Sequence, residues 1–339
     1  MVLPNSFSRL VPLFAALALL TVAAAGIGSS FMSPERVVAA LLGQGSRMDE
    51  VILWKLRLPR VALAILAGAA LALAGALLQR IVRNPMASPS VLGITDGAAV
   101  GVVLFLWLFS DQANTLTVSI HWQPLAAFQG AALFGGLVLW LAAADRSGNR
   151  TLTVVLYGIA LAALAKAAVT LLIILGPVYR ASQALTWLTG SVGTAHWQDV
   201  LVLGACLLLS LPLLVALRLT FQQLALDPHS AAVTGLSVDR ANYAFLAIAV
   251  FLTGAAVAHV GAIGFVGLIA PHLARVWYGQ FRPVYLVATA LTGSALVLGA
   301  DILARIIAPP LELPAGALTA LVGAPLFLYL LMKGRRSHA

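Results

Sequence analysis

The stretch VALAILAGAALALAGALLQRI, residues 61–81, decides the class of this protein. It carries no charged side chain before Arg80, and its leucines, alanines and glycines leave no polar face for water. A helix needs about 20 predominantly apolar residues to cross the hydrocarbon core of a bilayer. Because a helix satisfies its backbone hydrogen bonds internally, this stretch is predicted to be a transmembrane helix.

Similar apolar stretches recur on both sides of it. We therefore predict an all-α, polytopic membrane protein, a single transmembrane domain over residues 1–339, with about ten transmembrane helices at residues 10–29, 61–81, 91–110, 124–143, 151–175, 199–217, 241–260, 266–279, 284–303 and 315–332. The first stretch follows Arg9 and also fits a cleavable signal peptide. It is long enough to span, so we interpret it as the first membrane helix.

The composition excludes two other classes of protein. Of the 339 residues, 61% are hydrophobic and 9% are charged, and the mean hydropathy is +1.01. A soluble domain carries about 25% charged residues, so a water-soluble globule is excluded. The net charge of +9 lies in short gaps between apolar stretches rather than in one patch, so no nucleic-acid partner is expected. Cys206 lies within an apolar stretch and is expected to be a small buried residue.

The basic residues predict the orientation. Ten spans place both termini on one side, and twelve of the 20 Lys and Arg residues then fall on that side, against seven on the other. The remaining one, Lys166, lies within a span. Because cytoplasmic loops carry the excess of Lys and Arg, both termini are predicted to be cytoplasmic.

Glycines predict how the helices pack. Gly93, Gly97 and Gly101 recur every four residues, and Gly68 and Gly75 lie seven apart among alanines. Small residues on one stripe of a membrane helix let the backbone of a neighbouring helix approach closely. We therefore expect a compact helical bundle with close contacts at these glycines.

The sequence lacks the usual sites for energy coupling. No lysine follows a glycine, so a Walker-type phosphate-binding loop is absent. The six histidines are scattered without metal-ligand spacing, and paired carboxylates within the spans, the mark of ion coupling, are missing. The chain is expected to bind no cofactor itself and to obtain energy from a partner.

The gap at residues 218–240 is predicted to be a cytoplasmic coupling segment. Asp227 is a good N-cap, Pro228 suits the first helical position, and Gly235 suits the end of a short helix. A second short turn is expected around residues 236–240. Ala231, with Val233 and Leu236, would expose apolar surface to water, which favours docking of a partner. The alternative is a helix lying on the bilayer surface.

Six motifs resemble those of one family. They occur in order from about residue 50 to the C-terminus, and each is quoted as it stands here: LRLPR (56–60), NPMASPSVLG (84–93), WLTGS (187–191), GFVGLIAPHLAR (264–275), ADILAR (300–305) and ELPAG (312–316). The chain resembles the permease subunits of bacterial ABC importers for ferric siderophores, haem and cobalamin. The segments 84–89, Trp187 and 196–199 are most similar to the ferric dicitrate branch.

The resemblance implies the assembly. It implies ten helices per subunit in the bacterial inner membrane, and a second permease subunit, itself or a paralogue. It also implies two ATPase subunits that carry ATP and Mg, and a periplasmic substrate-binding protein that delivers a ferric chelate. The segment 218–240 would dock on the ATPase. Members of the family often have acidic residues where this chain has Pro228 and His229, which leaves open the choice of ATPase.

The resemblance also assigns a role to three arginines. Arg57, Arg60 and Arg305 lie in the motifs at predicted periplasmic ends and would bind carboxylates of the binding protein, as a planar guanidinium can do bidentately. The alternative is that they reach lipid headgroups. Glu312 is expected to be structural and could pair with Arg305.

Lys166 is unusual on physical grounds alone. It lies about nine residues from the periplasmic end of its span, roughly 13 Å deep at the rise of an α-helix. A lysine at the centre of a span costs roughly 2.5–3.5 kcal/mol, so it should face protein or a wet cavity. A structural pairing and a place on the path of an anionic substrate are both open.

The function predicted from these observations is that of a permease subunit, which catalyses no reaction itself, importing a ferric citrate-like siderophore. An importer of haem or cobalamin is the alternative in the same class. An ion-gradient-driven secondary transporter is the alternative in another class, and it would need a carboxylate relay and broken helices in two repeats.

Overall fold

The computed structural model describes residues 8–28, 31–110, 115–145, 150–176, 178–280, 284–309 and 311–336. Within these ranges the regular structure is helical, with one isolated β-bridge between Ser110 and Leu116. The helices are α1 (Val11–Gly26), α2 (Pro34–Leu41), α3 (Arg47–Val51), α4 (Leu58–Val82), α5 (Ile94–Leu108), α6 (Gln123–Ala144), α7 (Arg150–Leu175), α8 (Val178–Thr189), α9 (Trp197–Ala216), α10 (Arg218–Gln223), α11 (Pro228–Val233), α12 (Val238–Val260), α13 (Val266–Tyr278), α14 (Tyr285–Ile306) and α15 (Ala315–Arg336). The predicted all-α class is confirmed.

Each predicted span falls on one of these helices. In the described chain, seven helical segments are long and apolar enough to cross a membrane, and they contain α1, α4, α6, α7, α9, α12 and α14. The other predicted spans fall on α5, on α13 with its 13 residues, and on α15. The number of ten crossings therefore stays a prediction.

Helix α4 is the centre of the bundle. The helical segment that contains α4 continues from α3 through a π-helical stretch at Ile52–Arg57. In its most apolar part 78% of the residues are buried, whereas in α7 and α9 the share is 22%. Helices α12, α13 and α14 pack around α4. The buried helix is apolar all round because protein surrounds it, and the peripheral helices are apolar because lipid does.

The glycine contacts are confirmed at four positions. A Cβ added at Gly68 would lie 2.3 Å from the carbonyl oxygen of Gly293, and one at Gly75 would lie 1.8 Å from that of Gly267. In the same way Gly97 and Gly101 lie against α6. Gly93 differs, because it precedes α5 with a φ of +72° and lies against α7.

Short helices at one end were missed by the sequence analysis. Helix α2 and helix α3 lie in the predicted gap at 30–60, and Arg36 of α2 binds Asp49 of α3 through two hydrogen bonds. Ser46 caps α3 by accepting from the Asp49 amide at 3.1 Å. Such helices have five to eight residues, too few for a periodic apolar pattern.

Two contacts near helix ends identify the two ends of the molecule. At one end the Trp197 indole donates to the carbonyl oxygen of Trp54 at 2.8 Å. At the other end the Tyr278 hydroxyl donates to the carbonyl oxygen of Arg9 at 2.9 Å. The distribution of Lys and Arg predicts that the first end faces the periplasm and the second the cytoplasm, and the two ends are named accordingly.

Site-directed labelling tests this orientation. Met48 and Val233 are 74% and 88% exposed at opposite ends, so a cysteine at either position should react readily with a maleimide. In a Cys206→Ser background, Met48→Cys should react with an impermeant reagent from the periplasm, and Val233→Cys should react only after the membrane is opened. Labelling of both from the same side would contradict the topology.

Candidate functional site

A buried ion-pair network lies at the periplasmic end. The Arg60 guanidinium binds Asp301 at 2.8 Å and Glu312 at 2.7 Å, and Arg305 binds the second oxygen of Asp301. Asp301 is fully buried, whereas the Glu312 side chain is 47% exposed. The network joins α4, α14 and the loop before α15.

Two arginines bind the C-terminal end of α1. Arg305 belongs to this network, and Arg57 lies beside it. Arg57 donates to the carbonyl oxygens of Ala25 and Gly26 at 2.7 and 2.8 Å. Arg305 donates to those of Ala24 and Ile27, both at 3.0 Å. The last carbonyls of a helix have no partner within it and carry partial negative charge. The two guanidinium groups therefore satisfy the end of α1.

These positions differ from what the sequence analysis expects. Arg57, Arg60 and Arg305 are only 5%, 8% and 5% exposed, so their side chains are turned inward in this subunit. Glu312 pairs with Arg60 and not with Arg305. The physical reason is that α1, α4 and α14 meet at this end, where an inward guanidinium finds carboxylates and helix carbonyls together. Asp301 was missed as their partner, although its spacing of four residues from Arg305 on one helix is a usable signal.

A second polar contact at this end was also missed. His259 Nδ1 lies 3.0 Å from one carboxylate oxygen of Asp199, and the other oxygen accepts from the His196 amide at 2.9 Å. This links the start of α9 to the end of α12. The spacing of His196 and Asp199 is that of a capping box, which the sequence does show.

The coupling segment forms the helix that its sequence predicts. Asp227 caps α11 by accepting from the Ser230 amide at 3.2 Å, α11 begins at Pro228, and Gly235 follows it with a φ of +81°. The side chain of Pro228 lies outside the described residues. Residues 238–240 are the first turn of α12, so a separate second turn is a wrong prediction.

The exposed surface of this segment is not the one expected. Ala231 is fully buried, because α11 turns that face toward the bundle and contacts α12, while Val233 is 88% exposed. Val233 is therefore an apolar residue that a partner can reach, among the side chains of α11 that the structure describes.

Lys166 lies in the second half of α7 and is exposed on the surface of this single subunit. Its neighbour Ala165 is buried, so the lysine points away from the bundle. An ammonium group in contact with hydrocarbon is costly, so another subunit or a wet path is expected to cover it.

Comparison with known proteins decides the class of transporter. A sequence profile described as the FecCD transport family matches residues 16–333. The chain belongs to the FecCD transport family. Its FecCD relatives include the probable siderophore transport system permease protein YfhA of Bacillus subtilis, 46% identical over 92% of this chain and 91% of that protein. The Fe(3+)-citrate import system permease protein YfmE of the same organism is 40% identical over 93% and 92%.

A solved structure shares the fold. It is described as an inward-facing conformation of a metal-chelate type ABC transporter, and it is 30% identical with a TM-score of 0.83, covering 96% of this chain and 98% of that one. This FecCD protein is therefore a multi-pass inner-membrane permease of the ABC transporter class, a transport component rather than an enzyme.

Proposed function

We propose that this chain is the permease subunit of an ATP-driven importer that moves a ferric siderophore of the ferric citrate type from periplasm to cytoplasm. The observation that carries the proposal is the set of relatives that align over most of the chain. Besides YfhA and YfmE, it includes the Fe(3+) dicitrate transport system permease protein FecD of Escherichia coli, 40% identical over 84% of this chain and 86% of that protein.

Cobalamin is the second candidate substrate. The cobalamin import system permease protein BtuC of Halobacterium salinarum is also 40% identical, over 83% of this chain. Haem is the third candidate, from the resemblance in the motifs alone. Uptake of radiolabelled ferric citrate, haem and cobalamin by the assembled transporter separates them. Ferric citrate should accumulate and the others should not, and vanadate, which traps ABC ATPases, should stop uptake.

The proposed assembly contains a second permease subunit, two ATPase subunits and a periplasmic binding protein. This chain is proposed to bind no cofactor, and ATP and Mg to act on the ATPase subunits. Family membership supports an ABC complex, and the exposed Val233 supports a partner at the cytoplasmic end.

The coupling proposal is tested at Val233. Val233→Arg places a charge on the exposed surface of α11 without touching the bundle, so the subunit should still fold and insert. Association with the ATPase should fall by about tenfold, as expected when one central apolar contact of an interface is lost. Co-purification and ATPase stimulation measure this. The matched control is Met48→Arg, at an apolar site that is 74% exposed on α3, at the opposite end of the molecule and outside the predicted spans. Unchanged association of Val233→Arg would place the coupling site elsewhere.

Docking of the binding protein through Arg57, Arg60 and Arg305 stays a proposal. A partner carboxylate could reach Arg60 most directly by displacing Glu312, the exposed member of the network. Charge complementarity at such a rim mainly accelerates association.

Lys166 is proposed to lie on the substrate path. Lys166→Met keeps the length of the side chain and removes the charge that would attract an anionic chelate. Transport should fall by about tenfold if one favourable charge contact is lost, while assembly and ATPase activity stay normal. The control Leu164→Met changes a side chain that is 60% exposed on the same helix, and it should transport normally. Normal transport by Lys166→Met would show that Lys166 does not line the path. Loss of assembly would indicate that Lys166 has a structural pairing.

A further inference from the structure

The short helix α10 attaches the coupling segment to the bundle. It lies between α9 and α11. Phe221 of α10 is 4% exposed and Leu224, directly after α10, is 2% exposed, so both apolar side chains are turned inward. Leu219 and Leu226, on either side, are 63% and 39% exposed. One aromatic and one aliphatic side chain therefore enter the bundle from its cytoplasmic end, in addition to the buried Ala231 of α11.

The ring of Phe221 contacts three helices of the bundle. The guanidinium carbon of Arg80, on α4, lies 4.4 Å from the ring centroid. Tyr285, at the start of α14, stacks on the ring with centroids 6.2 Å apart and planes at 19°. Phe245 of α12 meets it edge-on at 5.7 Å and 73°. One side chain of the coupling segment thus joins α4, α12 and α14.

Arg80 is a buried cation, and the Phe221 ring is a main source of its stabilisation among the contacts that the structure describes. It is 8% exposed, and it donates one hydrogen bond, to the carbonyl oxygen of Gln280 at 3.1 Å. A guanidinium over an aromatic face is attracted by the ring quadrupole, more strongly where water is excluded. A shift of Phe221 would therefore cost Arg80 an interaction unless α4 moves with it.

Helix α4 can pass such a shift onward. Its backbone touches those of α13 and α14 at Gly75 and Gly68, where no side chain intervenes to absorb a displacement. Closely packed elements move as bodies rather than deform continuously.

We propose that Phe221 is a positioning residue that passes movement of the coupling segment to α4 through the Arg80 guanidinium and to α14 through the Tyr285 ring. The inference rests on the proposed coupling role of residues 218–240. A residue that only packs would affect stability, whereas Phe221 sets the amount of chelate that is transported per ATP hydrolysed.

The test uses the full transporter, with its ATPase and binding protein, in proteoliposomes. Phe221→Leu keeps an apolar side chain and removes the ring. Chelate transported per ATP hydrolysed should fall by roughly tenfold, the size expected for loss of a desolvated cation–π contact. Assembly and the rate of ATP hydrolysis should stay near wild type. Phe221→Tyr, which keeps the ring, should restore the ratio.

The control is Phe128→Leu. Phe128 forms an edge-on pair with Phe251 at 5.8 Å and 86°, a similar aromatic contact on α6 and α12 outside the coupling segment. It should leave the transport ratio unchanged. An unchanged ratio in Phe221→Leu, or an equal loss in Phe128→Leu, overturns the proposal.

A second variant covers the case in which Phe221→Leu does not fold. Arg80→Met removes the cation and leaves the Phe221 ring in place, and it should lower the same ratio; a normal ratio in Arg80→Met would overturn the proposal. Val233→Arg separates the proposed relay through Phe221 from the proposed coupling role of residues 218–240, on which the relay rests. If Val233→Arg binds the ATPase normally, the coupling role itself is wrong, whereas a defective Val233→Arg with a normal Phe221→Leu contradicts only the relay.

Discussion

Replacing Gly75 with alanine is expected to prevent this protein from folding into a stable bundle. The added methyl carbon would lie 1.8 Å from the carbonyl oxygen of Gly267 and 2.6 Å from its Cα. Both atoms belong to the backbone of α13, so no flexible side chain can yield. Relieving the clash requires α4 and α13 to separate along a contact in which their backbones now touch. The expected cost is roughly 3 kcal/mol or more, at the upper end for overpacked interiors.

The same substitution at Gly136 is the matched control. Gly136 also lies within a helix, α6, but a Cβ there would meet no atom within 4 Å. Gly136→Ala should be neutral or stabilising by up to about 1 kcal/mol, because alanine restricts the unfolded backbone more than glycine. The yield of monodisperse protein in detergent and its thermal midpoint measure both variants. Similar values for the two would mean that the contact between α4 and α13 is not as close as the structure shows.

Replacing Asp301 with asparagine is expected to destabilise the periplasmic end strongly. Asp301 is fully buried and is bound by Arg60 and Arg305. Asparagine keeps the shape but leaves the buried Arg305 guanidinium without a carboxylate partner and leaves Arg60 with only the half-exposed Glu312. Breaking a buried ion pair by removing one partner costs about 3–5 kcal/mol. The result should be loss of assembled transporter and a lower thermal midpoint rather than a specific defect in docking.

Glu312→Gln tests the exposed side of the same network. The Glu312 side chain is 47% exposed, so its pairing with Arg60 is screened by water and should contribute no more than about 1 kcal/mol. Thermal stability should therefore remain close to wild type. If Asp301→Asn is as stable as Glu312→Gln, the two arginines are not held by Asp301, and their availability for a docking partner increases.

Much of the fold could be predicted from local sequence. The apolar stretch at 61–81 and its counterparts each fall on a helix, because length and hydropathy are properties of one segment in contact with lipid or protein. Asp227, Pro228 and Gly235 set the bounds of α11 for the same reason, since helix caps act over a few residues.

The site was predicted less completely. The resemblance drew attention to Arg57, Arg60 and Arg305 as residues that would dock the binding protein, but the sequence could not show where their side chains turn. Arg60 meets Asp301 across 241 residues, and no alternation or spacing encodes that pairing. Both Ala231 and Val233 were likewise predicted to be exposed on α11. A helix of six residues has too few turns to identify its buried face.

Local sequence was enough to predict a bundle of lipid-solvated helices, which glycines join closely at their backbones, and a capped helix between α9 and α12. The packed bundle was needed to show that Arg57, Arg60 and Arg305 face inward, that Ala231 is buried, and that Phe221 lies under the Arg80 guanidinium. The reason is physical. Burial in lipid and helix capping depend on neighbours along the chain, whereas the pairing of buried charges and rings depends on which distant helices meet, and that is settled only when the bundle packs.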